Sequence, residues 1–462
     1  MKKITTLILA IIGTIITISA QENIKMSFHA ELADHRGGIN PSYIRYDLNC
    51  IQTIKLSDYD NDTLVLYVKN PHFGIQKYMV NGYYPTLNIN IKSADDAEYE
   101  NAKFDFDGQI MKIEIPEKNS EIQMEYRFLN TYFPRTDSMK MLAFISPYIS
   151  AYNSWYFSLN YEDTVRFENL TLKVPENTYF FATCPYERQE QLYMLNTQKT
   201  NYKDISFFVL EKDFYEKYEI RPNINVFFSR GAFVDWQNKI RIPLDSLDKE
   251  IVSNRLNTMK KTINKIESIF GADNDYIIDI ADAYRKRGRF SEGSAFSTSE
   301  NAHFVYIDSA FWNTKGLTHE LIHCYTPFAN DSSGYFFSES MIEYLTIYLF
   351  YEDTNVRDSI FTDKILVYSR HKDIVNKSIF DLTENSTQLN VGFGTSSVIY
   401  EKIPFVIHTL AKRVGEEKFI DILKQFYKQA KEKGRTDFND FENILKANGV
   451  GDNTWKIFRN AL

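Results

Sequence analysis

The chain has 462 residues but only three cysteines, Cys50, Cys184 and Cys324. They are odd in number, far apart and form no CxxC pair, so they do not describe a disulfide framework. Positive charge is also in short supply. The 53 Lys and Arg are outnumbered by 61 Asp and Glu, leaving a net charge of −8. Phosphate binding needs a basic face, so nucleic acid is not expected as a partner. Internal repeats and low-complexity stretches are absent. Long apolar runs are absent too, except at the N-terminus, and a helix that crosses a bilayer needs about 20 apolar residues.

That N-terminus reads as a signal peptide over residues 1–20. Lys2 and Lys3 supply a charged start and Leu7 to Ile18 an apolar run. Ile18-Ser19-Ala20 is a small-residue cleavage site before Gln21. No cysteine follows the cleavage site, so no lipid anchor is expected there. The mature chain is expected to be exported, to the periplasm or beyond the cell, without stable membrane insertion.

The mature chain divides by pattern. Residues 21–245 read as a β-rich domain, a sandwich or saddle. Met111 to Ile115 and Ile122 to Tyr126 alternate with period two, and 31 Tyr and 35 Phe suit strands. Near Pro243 the character changes. Ile251, Leu256, Met259, Ile263, Ile266 and Phe270 recur at helical spacing, and Gly271 is a plausible stop. Three short strands come next, then two helices, then apolar-striped helices to Leu462. Residues 246–462 are therefore expected to form a second, largely helical domain.

The chemistry is concentrated between Gly316 and Phe350. His319-Glu320-Leu321-Ile322-His323 is an HExxH pentad. Residues four apart on a helix share a face, so the two imidazoles can bind one ion from one side. Glu320 falls beside them and can reach a water held by that ion. Two His ligands, one carboxylate from elsewhere and an open position for water are the donor set of a hydrolytic zinc site, one Zn2+ per chain. Glu339 or Glu343, on the following helical run, can supply the carboxylate. Chance spacing of His and Glu is the plain alternative; the nearby second helix bearing a glutamate is what favours a metal. Cys324 points to another face and reads as a core thiol.

These residues resemble the gluzincin metallopeptidases of the aminopeptidase N and glycyl aminopeptidase kind. HELIH is followed by an aromatic, Tyr325. Phe336 to Tyr344 (FFSESMIEY) is similar to the family's WxNEGxxxY, and Tyr400-Glu401-Lys402 to its YEKG. The resemblance implies an α+β protein: a β-rich domain, then a thermolysin-like zincin domain with a helical C-terminal part. It implies zinc on His319, His323 and Glu339, with Glu320 as general base and Tyr400 stabilising the oxyanion. Glu339 is the better match because Tyr344 lies five residues on. Glu343 would then support a ligand imidazole, though its interval from HExxH fits other thermolysin-like enzymes. The strand Gly293 to Ser297 stands where the family has GxMEN, whose Glu holds the substrate amine, and it has no Glu. Ser294 and Ala295 can still bind substrate backbone by edge pairing. Peptides are the implied substrates, with exopeptidase specificity left open. A non-catalytic zinc-binding scaffold, a peptide-binding protein and hydrolysis of a non-peptide substrate are the alternatives.

Overall fold

A computed structural model describes residues 24–462. Outside the described residues lie 1–23, the stretches 35–42, 68–86, 135–140, 143–156, 160–166, 198–204, 244–248, 284–292, 309–313, 327–334, 371–377 and 382–396, and a few shorter ones. The signal peptide expected at 1–20 falls there, and so does the domain boundary expected at 245/246. The chain divides into two compact units: Met1–Tyr215 with Thr298–Glu300, and Glu216–Ser297 with Asn301–Leu462.

The first unit is built of sheets. An eight-stranded sheet runs in the order Tyr186–Gln189, Leu192–Leu195, Asn169–Lys173, Ile24–Asp34, Tyr46–Leu56, Ser120–Leu129, Asn88–Ser93, Glu100–Asn101. Its central strands are long because alternation is sustained: Met26, Phe28, Ala30 and Leu32 are buried on one face. A three-stranded sheet of Thr63–Tyr67, Ile110–Glu114 and Phe104–Phe106 sends Leu64, Leu66, Met111 and Ile113 into the same core. Gln52, fully buried, is satisfied at both ends by the Phe157 backbone, at 2.8 and 3.0 Å.

The second unit begins earlier than composition suggests. β1 (Tyr215–Arg221) and β2 (Ile224–Ser229) read like more of the β-rich half, yet they join a five-stranded sheet with β3 (Ile277–Ala283), β4 (Gly293–Ser299) and β5 (Ala302–Asp308). The order is β1-β2-β3-β5-β4, with β4 at an edge. β2, β3 and β5 are parallel neighbours, Ile224 against Ile278 and Ile278 against His303. Parallel pairing requires a crossover, and α1 (Lys249–Phe270) supplies it between β2 and β3.

Among the described residues, eight α-helices follow the pattern of apolar spacing. After α1 come α2 (Thr314–Tyr325), α3 (Met341–Phe350), α4 (Thr354–Ser369), α5 (Ile403–Val414), α6 (Glu416–Lys433), α7 (Phe438–Ala447) and α8 (Asp452–Ala461). One core takes residues from the sheet and from all of them. Phe336 is fully buried and lies 4.8 to 6.2 Å, centroid to centroid, from Phe337, Phe438, Phe441 and Phe458. Burying each such ring stabilises the fold by about 1.5–3 kcal/mol. Among the described residues, no helix is long and apolar enough to cross a membrane.

Candidate active site

α2 carries the pentad and is pinned to α1 at both ends. Arg255 donates to Thr314 Oγ1 at 2.7 Å, and the Tyr325 hydroxyl donates to Glu267 Oε1 at 3.0 Å. Arg221 from β1 grips the same Glu267 with both guanidinium arms. The inner face of α2 buries Leu317, Thr318, Leu321, Ile322 and Cys324. That leaves His319 and His323 together on the other face, ring centroids 5.1 Å apart. Cys324 points away into the core, its Sγ 3.7 Å from the Glu320 carbonyl, and burial pushes its thiol far up.

Glu339 meets both imidazoles. Its Oε2 lies 3.4 Å from His319 Nε2 and 3.9 Å from His323 Nε2. Glu343, one turn on, faces the other side of His319: its Oε2 lies 3.4 Å from Nδ1. The two glutamates thus take different nitrogens of one ring. With Nδ1–H donating to Glu343, the Nε2 lone pair is free to face Glu339's side of the ring. Three donors around a tetrahedral ion at 2.0–2.1 Å are spaced about 3.3 Å apart. The His319, His323 and Glu339 donor atoms all lie within 4.8 Å of one another, so this set fits such an ion after small side-chain shifts.

Tyr400 completes the group. Its hydroxyl donates to Glu339 Oε2 at 2.9 Å, and its ring centroid is 6.3 Å from that of His319. Burial, then the charge of Glu339, hold the phenol well above its ordinary range, so it remains a donor. Glu320 sits close enough that its charge acts on both His319 and Tyr400. Without a metal, burial opposes charge on His319, but Glu339 and Glu343 outweigh it and push its pKa up to about 10. Burial and the neighbouring His319 lower His323 to about 4. Of the two rings, His319 is the one on which positive charge is favoured. Burial resists ionisation of Glu339, yet the imidazoles hold its carboxyl below the usual range. A metal ion would take the place of a proton on His319 Nε2, since a ligand imidazole is neutral and can keep its Nδ1 hydrogen.

Sequence reasoning missed the support behind the site. Glu343 Oε1 receives Lys315 Nζ at 3.1 Å and Lys364 Nζ at 2.9 Å. Burial resists its ionisation, but His319 and the two lysines hold it well below the carboxylate range. Lys364 also donates to the Tyr400 carbonyl at 2.8 Å. Nothing in the pattern of α4 marks Lys364 as special. Equally unmarked are two π-helical turns, Phe336–Ser340 and Val398–Lys402, which bear Glu339 and Tyr400. Both are closed by bonds five residues long, Met341 N–H to the Phe336 carbonyl and Ile403 N–H to that of Val398. Ser294 and Ala295 lie on edge strand β4; their side chains are outside the described residues.

A second constellation, Asp358, His408 and Glu416, also has donor atoms within 4.8 Å of one another. Here the cations are already side chains. Lys412 Nζ stands 2.9 Å from Asp358 and 3.5 Å from Glu416, and Arg357 bonds Glu416 at 2.7 Å. It is an ion-pair network joining α4, α5 and α6.

A β-rich unit followed by a sheet and helices that carry HExxH and a later glutamate is an arrangement that can be compared with known folds. No family model and no curated protein matches the chain. Solved structures do. An M1 zinc metallopeptidase from Deinococcus radiodurans superposes with a TM-score of 0.50 at 12% identity, covering 95% of each chain. An aminopeptidase N family protein from Idiomarina loihiensis gives 0.59 at 11% identity, covering 95% of this chain and 76% of that one. A mutant of the Deinococcus enzyme bound to a Tyr-Ser-Ala substrate gives 0.50 at 12% identity, covering 95% and 94%.

Proposed function

We propose that the chain is a zinc-dependent peptidase whose metal is held by His319, His323 and Glu339. The convergence of His319 Nε2, His323 Nε2 and Glu339 Oε2 on one point carries the reading. When bound, zinc supplies a Lewis acid and makes a water at the open position more acidic. Glu320 would accept a proton from water as that water attacks the peptide carbonyl. It then returns the proton to the leaving amine. The Tyr400 hydroxyl donates to the developing oxyanion. Glu343, fixed by Lys315 and Lys364, keeps His319 oriented and its Nδ1 protonated. The edge strand β4, with Ser294 and Ala295, offers backbone groups to an extended peptide.

The deciding experiment is a mixed peptide library incubated with the purified chain, with products read by mass spectrometry. Cleavage is expected, to stop on adding a chelator and to return with zinc. Release of single N-terminal residues would mark exopeptidase action, and internal cuts the opposite. The missing glutamate in Gly293 to Ser297 favours the second reading, a non-catalytic zinc- or peptide-binding protein. Zinc retained at one per chain with no cleavage anywhere in the library would favour that reading over a peptidase.

Tyr400→Phe removes one hydroxyl and leaves the ring. The expected loss in kcat is about 100-fold, with KM little changed, as for one oxyanion donor. Equal kcat in the two proteins would remove Tyr400 from the chemistry.

The charged and apolar start of the sequence supports export with removal of residues 1–20. Protein recovered outside the cytoplasm should begin at Gln21 on N-terminal sequencing; an intact Met1 on exported protein would contradict this.

A further inference from the structure

Pro404 is the second residue of α5, which directly follows the turn that bears Tyr400. Proline has no amide hydrogen. Along an α-helix the amide of residue 404 would serve the Tyr400 carbonyl; along the π pattern it would serve that of Ile399. Proline therefore removes one backbone donor that either carbonyl could have used. Two side chains from elsewhere take the carbonyls. Ser340 Oγ donates to the Ile399 carbonyl at 2.7 Å, and Lys364 Nζ donates to the Tyr400 carbonyl at 2.8 Å. Neither is placed at random. Ser340 is fully buried and next in sequence to Glu339. Lys364 is 13% exposed and, with the same ammonium, holds Glu343 at 2.9 Å and Glu401 at 3.6 Å.

We infer that Ser340 and Lys364 are positioning residues that fix the Tyr400 hydroxyl against the His319–Glu339 cluster, gripping the Ile399 and Tyr400 carbonyls beside Pro404. Ser340 ties the Tyr400 turn to the Glu339 turn. Lys364 ties it to Glu343, and so to His319 Nδ1. The hydroxyl's 2.9 Å approach to Glu339 is the geometry these two anchors hold. A partly buried ammonium costs some desolvation and is retained here with two carboxylates and a carbonyl as partners, which leaves it little freedom to move. The kinetic consequence rests on the peptidase reading; the placement of the ring does not.

The test uses the full chain, zinc-loaded, with 3-fluorotyrosine at position 400. Fluorine NMR reports the ring and steady-state kinetics report turnover. In Lys364→Met the resonance is expected to move toward the position of free fluorotyrosine, with zinc still at one per chain. On a cleaved peptide, kcat should fall about 10- to 100-fold while KM stays within about threefold, the pattern of a misplaced group rather than a lost contact. Lys364→Arg, which can bond the same carbonyl and carboxylates, should restore the resonance and most of kcat. Ser340→Ala deletes a single hydroxyl, so it serves where Lys364→Met does not fold, and should move the resonance in the same direction. An unmoved resonance in both Lys364→Met and Ser340→Ala would overturn the inference, whatever kcat does. If the wild-type chain cleaves no peptide, the peptidase reading falls while the fluorine arm still decides the positioning role.

Discussion

Glu320→Gln should keep its zinc and lose turnover by at least about 10³-fold, near the upper range of a general base removed. The amide matches the carboxylate in size and adds no charge, so α2 has no reason to shift. Glu320 is not among the three converging donors, His319, His323 and Glu339, and the metal site is left whole. What disappears is the group that takes the water's proton and hands it to the leaving amine. The measurement pairs metal content per chain with kcat on a peptide that the wild type cleaves. Full turnover with zinc present would rule out Glu320 as the base. Loss of zinc would instead make it part of the binding site.

His323→Ala should act by the opposite route, removing the metal first and activity as a consequence. Its ring is the donor with least support: His319 has Glu343 behind it, and Glu339 has Tyr400. Two remaining donors hold zinc far more weakly than three. The loss in affinity should exceed the about 10- to 100-fold typical of removing a supporting partner. Thermal unfolding supplies a readout independent of chemistry. Zinc at 100 times its Kd stabilises a folded chain by about 2.7 kcal/mol, so the wild-type Tm should rise with zinc. In His323→Ala that rise should vanish at the same concentration. An equal rise in both proteins would place the metal elsewhere.

Much of this site could be read in the chain, because it lies on helices whose faces are set by spacing. HELIH needs only i, i+4 geometry to bring its imidazoles together. Phe336 to Tyr344 fixes where the next glutamates fall; the family resemblance selects Glu339, while helical spacing alone does not say which of them meets both rings. That choice depends on the π turn ending at Ser340, which swings Glu339 to the Nε2 atoms and Glu343 to Nδ1. An i→i+5 bond leaves no mark on apolar periodicity. Lys315 and Lys364 were illegible for another reason. A lysine on a helix reads as a solvated charge, and only the tertiary fold shows two of them converging on one buried carboxylate. The division at Tyr215 was hidden because β1 and β2 are strands like those before them. Their membership of the second unit is decided by the parallel pairing of β2 with β3, far along the chain, with β1 beside β2.

The two π turns have a consequence for how this chain tolerates change in length. Each holds one residue more than an α-helical turn would use, and that extra residue offsets the side chains of the turn by about 100° relative to the α-helix that follows. A substitution at Phe337 or Ile399 alters packing around the site. Deleting Phe337, or Ile399, would let an ordinary helix form and turn Glu339 or Tyr400 away from His319, with every functional side chain still present. Surface loops absorb such gains and losses readily; at these two turns, chain length is itself part of what the site requires.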